Sequence, residues 1–355
     1  MLHAVIMAGG AGTRFWPASR RNLPKQLLDL AGDESMLQST LARFAGWVSP
    51  DRTLVVTNER LVESVRCQLP ALASTSVLGE PCKRDTAPCV GVAAGWVLRD
   101  DPEAVMVVSP SDHVISPVGK FREAIEAAAR LVEASPETLV TFGIRPTYPA
   151  ESFGYIQRGD ALSEGAYRVE RFREKPSAEV AREYVASGDY YWNAGIFVWK
   201  ARTILDLLRQ FEPVMHQHLE AIASAARGAD FDEVFRREFA AIVGKSIDYA
   251  VMERAPRVVV MEAPFAWDDV GSWQAMSRLR GVDGDGNTCS GRYLTLDTRG
   301  TIVRSTADHL VVTLGLEDCL VVHTPDATLV ASKHCEERIR EVVQRLEKDG
   351  YDQYL

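Results

Sequence analysis

Val5 to Leu28 reads VIMAGGAGTRFWPASRRNLPKQLL: an apolar run, then Gly9, Gly10 and Gly12, then Arg14 and Lys25. Glycines permit left-handed backbone and let main-chain N–H groups approach an anion closely. With two cations added, the chemistry on offer is phosphate binding. It is not a Walker loop: the Gly-Lys-Ser at Gly244, Lys245 and Ser246 has Phe239 where the first glycine is required. It is not a dinucleotide fingerprint either, because Phe15 stands where the third glycine would follow Gly10 and Gly12. A tight surface turn among scattered basic residues would have the same composition.

Acidic and polar residues supply the rest. Asp112 lies in SPSDHV, just beyond an apolar run, and a second acidic cluster stands in WDDVGSW, Trp267–Trp273. Two carboxylates from distant segments can hold one Mg²⁺, which favours oxygen ligands and shares substrate phosphates; a turn-capping role for Asp112 is the plainer alternative. Glu80 is the second residue of GEPCKRDTAP, Gly79–Pro88, where a carboxylate could accept two hydrogen bonds from guanine, a pair of donors adenine lacks. Thr86 reads as a helix N-cap with Pro88 in the first turn. In REKP, Glu174 and Lys175 are adjacent on a strand and so should point to opposite faces. Asn193 is a lone polar residue in YWNAGIF and needs a partner, a sugar hydroxyl or backbone. His216 and His218, two apart on a helix, do not share a face.

The elements that must position these residues alternate. Strands are expected at Leu2–Ala8, Thr53–Thr57, Ser76–Leu78, Ala104–Val108 and Thr138–Phe142, with helices near Met36–Trp47, Glu59–Leu69, Ala87–Leu98 and Phe121–Glu133. That is the pattern of a doubly wound α/β sheet, in which ligands sit beyond the carboxyl ends of the strands. FGYIQRG and YRVERF read as a hairpin and YYWNAGIFVW as a further strand, followed by helices near Lys200–Phe211 and Pro213–Ala226. From Asn287 short strands recur, a β-rich module closed by a helix near Cys335–Lys348. A boundary near residue 280 gives two domains, 1–280 and 281–355.

The 355 residues carry a net charge of −9, with 46% hydrophobic and 25% charged residues, an ordinary globular balance. Such an acidic chain argues against nucleic acid as a partner. The six cysteines form no C-x-x-C pair, so a reduced, cytoplasmic protein without a zinc site is expected. No apolar run is long enough for a membrane span, and no signal peptide is read. The C-terminal strands cannot bury both faces alone, so a homodimer through that module is expected. None of the residues given a chemical role lies there, so truncation near residue 280 should impair assembly before site geometry.

Taken together, MAGGAGTRFWPASRRNLPKQ, LGEPCKRDTAP, PSDHVI, FREKP, YYWNAGIF, SIDYAVME and WDDVGSW resemble the mannose-1-phosphate guanylyltransferases, or GDP-mannose pyrophosphorylases, over roughly residues 4–275. The resemblance implies a Rossmann-like nucleotidyltransferase domain with a small left-handed β-helix-like module, in the short monofunctional form. It implies transfer of GMP from GTP to α-D-mannose 1-phosphate, giving GDP-mannose and pyrophosphate. It implies that Gly9, Gly10, Gly12, Thr13 and Arg14 cradle the triphosphate, that Lys25 faces the α-phosphate, and that Asp112 and Asp269 hold Mg²⁺. It implies Glu80, Arg84, Asp85, Thr86 and Ala87 around guanine. It implies Gly154, Glu174 and Asn193 at mannose and Lys175 at the sugar phosphate. PAESFGYI departs from the commoner P-E-T-G-Y-G-Y-I, leaving Glu151 without a role, and Asp85 replaces a frequent Asn. Two alternatives stay open: a pyrophosphorylase for another sugar or base, and a silent sugar-nucleotide sensor.

Overall fold

The computed structural model describes residues 1–226, 228–306 and 308–355. Its contacts divide the chain into two units: Met1–Gly9 with Leu41–Pro110 and Ile115–Trp267, and Gly10–Thr40 with Ser111–Val114 and Asp268–Leu355.

The first unit is built on a nine-stranded sheet. Leu2–Ala8 is almost wholly apolar and buried, as a strand covered on both faces must be. It lies parallel between Thr53–Asn58 and Val105–Pro110, and Val77–Glu80 extends that parallel set to the edge. Beyond Val105–Pro110 the sheet becomes mixed. Tyr190–Lys200 runs antiparallel to both Val105–Pro110 and Leu139–Ile144. Val258–Glu262, for which the sequence reading had no strand, pairs parallel with Leu139–Ile144 and antiparallel with Ala166–Glu174. The expected hairpin is present: Gly154–Ser163 pairs antiparallel with Ala166–Glu174.

Helices cover the sheet. In Val118–Ala134 the residues Phe121, Ala124, Ile125, Ala128 and Val132 are buried, the stripe that a 3.6-residue period requires. Thr86–Leu98 is apolar nearly all round and packs among the helices Ala201–Phe211 and Pro213–Ala225. Gly91 permits this approach, since a Cβ there would overlap Leu219.

In the second unit, parallel strands Thr288–Ser290, Ile302–Arg304 and Cys319–His323 stack in register, and Thr328–Ser332 closes them antiparallel. Arg292–Leu296 and Leu310–Leu314 form a second parallel pair. The end helix begins as a 3-10 turn, Lys333–Arg338, and becomes α over Ile339–Lys348. The core joins Phe15, Trp16 and Leu28 to Trp273, Ile302, Leu320 and Ile339. The residues after the glycine loop therefore pack on the β-rich module. Among the described residues no helix is long and apolar enough to cross a membrane.

Candidate active site

Within the second unit, Lys25 lies in the 3-10 turn Lys25–Leu27, where all three residues are buried. Gly12 makes this turn possible. It adopts φ 59°, and a Cβ on it would sit 2.7 Å from the Lys25 backbone nitrogen. Gly9 and Gly10 are outside the left-handed region, so of the three loop glycines only Gly12 is there for its conformation. A Cβ on Gly10 would lie 3.9 Å from Gln26 Oε1. Thr13 opens the 3-10 turn Thr13–Phe15, and its carbonyl accepts from the Trp16 N–H.

Lys25 Nζ donates to Asp112 Oδ2 at 2.9 Å and to the Asp269 carbonyl at 2.5 Å. Burial pushes the Asp112 carboxyl up, but the Lys25 ammonium and His113 overcome this and hold it below its usual range. Asp269 goes the other way. Burial pushes it up to about 6, Lys25 draws it down only in part, and Asp268 and Asp112 add repulsion. The Asp269 carboxylate lies over Gly271, where a Cβ would be 2.9 Å from Oδ2. Among the described residues no group of three or more His, Cys, Asp or Glu could hold a metal. The donors present are two carboxylates, one of them short of positive charge. That set fits a hard divalent cation that keeps most of its coordination for water and phosphate. Arg14 Nη1 donates to the Gly271 carbonyl at 3.2 Å, and its Nε lies 2.8 Å from Glu337 Oε2.

In the first unit, Glu80 ends the strand Val77–Glu80 and is 8% exposed. Its Oε1 has no hydrogen-bond partner among the described residues. Burial pushes its carboxyl up to about 7, against the Cys89 thiol that hydrogen-bonds to it. A Cβ on Gly9 would lie 3.6 Å from Glu80 Oε2.

One expectation near the proposed base site changes. The helix Thr86–Leu98 is capped by Asp85, whose side chain accepts the Thr86 N–H, so Thr86 is the first helical residue and not the cap. The Thr86 hydroxyl accepts from the Ile247 N–H at 2.8 Å, and the Ala87 N–H donates to the Lys245 carbonyl at 3.0 Å. The Arg84 guanidinium donates to the Ala240 carbonyl.

Gly154, Glu174 and Asn193 come together. Gly154 is the register partner of Glu174. A Cβ on Gly154 would be 2.5 Å from Glu174 Oε2 and 3.6 Å from Asn193 Cβ. Lys175 does not continue the strand's alternation. It has φ 47°, which ends the strand at Glu174, and its ammonium folds back to 3.0 Å from Glu174 Oε1. Asp248 was not singled out in the sequence, yet it accepts from Asn193 Nδ2 at 3.0 Å. Its signal was an acid inside the otherwise apolar IDYAVM.

A large α/β sheet whose first strand runs into a glycine loop, followed by a buried lysine ion-paired with an aspartate, is the arrangement of a nucleotidyl transferase. The nucleotidyl transferase family matches residues 3–281, and the MannoseP isomerase/GMP-like beta-helix domain matches residues 291–346. Mannose-1-phosphate guanylyltransferase 2 of Escherichia coli O157:H7 is 37% identical over 99% of this chain and 75% of its own length. Mannose-1-phosphate guanylyltransferase ManC of Salmonella typhimurium is 40% identical over 98% of this chain and 74% of its own. A crystal structure named as mannose-1-phosphate geranyltransferase from Thermus thermophilus matches with a TM-score of 0.88 at 37% identity, covering 98% of this chain and 99% of that one. The chain belongs to the mannose-1-phosphate guanylyltransferase family.

Proposed function

We propose that the protein transfers GMP from GTP to α-D-mannose 1-phosphate, giving GDP-mannose and pyrophosphate. The observation that carries this reading is the buried Lys25 ammonium held between the Asp112 carboxylate and the Asp269 carbonyl. An ammonium fixed by two anchors is preorganised for charge developing on a phosphoryl group. A phosphate oxygen of the sugar phosphate attacks the α-phosphorus in line. One P–O bond forms, the bond to pyrophosphate breaks, and no covalent enzyme intermediate arises. The nucleophile is already an anion at neutral pH, so the chain supplies position and charge and no general base.

The glycine loop from Gly9 to Thr13 and the Arg14 guanidinium receive the triphosphate, and Lys25 faces its α-phosphate. Asp112 and Asp269 would hold Mg²⁺, which when bound would supply charge neutralisation at the phosphates. Glu80, with its unpartnered oxygen, accepts from guanine. Arg84, Asp85, Thr86 and Ala87 shape the surroundings of the base. Gly154, Glu174 and Asn193 receive mannose, and Lys175, 64% exposed, reaches the sugar phosphate. Pyrophosphate release, measured over a panel of nucleoside triphosphates and sugar 1-phosphates, tests the assignment. Activity is expected to be highest with GTP and mannose 1-phosphate, and a better pair elsewhere in the panel overturns it.

We further propose a domain boundary near residue 280, a cytoplasmic location without nucleic-acid or membrane partners, and a homodimer through the C-terminal module. Leu294, Leu296, Leu310, Val312 and Leu314 are each 49–68% exposed. They stand on one side of a parallel strand pair, Leu294 opposite Val312 and Leu296 opposite Leu314. Such an apolar row is what a second copy would cover. Light scattering should give a dimer for the intact chain and a monomer for Leu310→Asp/Leu314→Asp. A monodisperse wild-type monomer removes the proposal.

A further inference from the structure

Asn193 occupies an irregular stretch of Tyr190–Lys200. The register with Leu139–Ile144 shifts between Thr141 and Gly143, and Gly195 adopts φ 66°. Bulges of this kind re-aim a side chain. The Asn193 amide has a defined orientation. Its Oδ1 accepts from the Gly195 N–H at 3.1 Å and lies 3.0 Å from the Thr141 hydroxyl. A backbone N–H only donates, so the amide oxygen faces Gly195 and the nitrogen faces Asp248. Nδ2 carries two hydrogens. One goes to Asp248 Oδ1, and the other is the one that a ligand hydroxyl would accept.

Asp248 begins a single π-helical turn, Asp248–Met252, a feature frequent at functional sites. We propose that Asp248 is a positioning residue for the sugar phosphate: it holds the Asn193 amide so that its second N–H faces the pocket formed with Glu174 and Gly154. This inference rests on the assignment of that pocket to the sugar. Either protonation state of Asp248 can accept from Nδ2. The two states differ in the charge they place beside the pocket.

The groups around Asp248 are mostly acidic. Burial pushes its carboxyl up to about 7, with Glu174 the strongest of the repelling charges and Asp85 and Glu253 adding to it. Cations face this acidic group through its neighbours: Lys175 is paired to Glu174, and Arg173 and Lys245 draw down Glu253. Below that value Asp248 is a neutral acceptor. Above it a second negative charge joins Glu174 beside the pocket that takes an anionic sugar phosphate, and binding weakens.

The test is steady-state kinetics of the full-length enzyme with each substrate varied from pH 6 to 8.5. For wild type, KM for mannose 1-phosphate should rise through pH 7 while KM for GTP does not follow it. Asp248→Asn keeps a neutral acceptor, so it should retain the low-pH KM and lose that rise. The substrate's own ionisation is common to both proteins, so the difference between them isolates Asp248. Asp248→Ala should raise KM for mannose 1-phosphate about tenfold, with KM for GTP changed less than twofold. If Asp248→Ala and Asp248→Asn change both KM values equally, or if Asp248→Asn keeps the wild-type pH profile, the inference is overturned while the reaction assignment stands. Wild-type protein that releases no pyrophosphate from GTP and mannose 1-phosphate overturns the assignment and this inference with it.

Discussion

Arg14 is ion-paired with Glu337, Nε to Oε2 at 2.8 Å, so a cation of the glycine loop is held by a residue of the C-terminal segment. The Glu337 side chain is 63% exposed and that of Arg14 21%, which makes this a solvent-screened pair. If Arg14 receives the triphosphate as proposed, the arriving phosphate competes with Glu337 for it. Glu337→Gln should therefore lower KM for GTP by about 1.5- to 5-fold with kcat unchanged, the scale of an exposed pair worth about 0.2–1 kcal/mol. Initial rates against GTP concentration measure this. A KM that stays the same or rises would show that Glu337 helps Arg14 and does not compete for it.

Asp269 couples pH to stability and, as a proposed Mg²⁺ ligand, stability to metal. Its carboxyl titrates at about 6 in the folded chain against an ordinary 3.8. A raised folded value means that its contribution to stability is greatest below the unfolded value and is lost as pH rises through 6. Asp269→Asn should then raise Tm at pH 7.5 and leave it nearly unchanged at pH 4, an effect on the order of 1–3 kcal/mol. Added Mg²⁺ should raise the Tm of wild type and not of Asp269→Asn. Equal Mg²⁺ shifts in both proteins would remove Asp269 from the metal site.

If Glu80 accepts from guanine as proposed, base selection is pH-dependent. Its carboxyl, pushed up to about 7 by burial, must be ionised to accept from both guanine donors. The ratio of kcat/KM for GTP to that for ATP should fall as pH is lowered from 8 to 6. Glu80→Gln should flatten that dependence and reduce the ratio about 5- to 150-fold, the equivalent of about 1–3 kcal/mol for an unpaired buried polar group. A ratio independent of pH in wild type would assign base choice to main-chain groups.

Truncation near residue 280 is now expected to damage the phosphate loop first. It removes Ile302, Leu320 and Ile339 from the core that holds Phe15 and Trp16, and it removes the Tyr354 carbonyl that accepts from Trp16 Nε1 at 2.8 Å. A chain ending near 280 should lose GTP binding by calorimetry, even in any fraction that stays soluble. Retained affinity in the truncated protein would restore the sequence-based expectation that assembly fails before the site does.

The parallel strands of the first half were legible because a strand buried on both faces is a nearly continuous apolar run, and Leu2–Ala8 is one broken only by His3. The glycine loop was legible from its composition, and Asp112 from its place just beyond a strand. These are local properties, carried by residue type and spacing. Val258–Glu262 was missed because a short valine run does not announce which strands it joins, and it lies between Leu139–Ile144 and Ala166–Glu174. Lys175 was misread because alternation holds only while the strand lasts, and a φ of 47° ends it. Tertiary structure alone decided that Lys25 meets Asp112 and the Asp269 carbonyl, that Asp248 meets Asn193, and that the loop after Gly9 belongs to the β-rich unit. Lys25 and Asp269 are 244 positions apart. Whether such groups meet is set by the packing of everything between them, and no local period in the sequence encodes it.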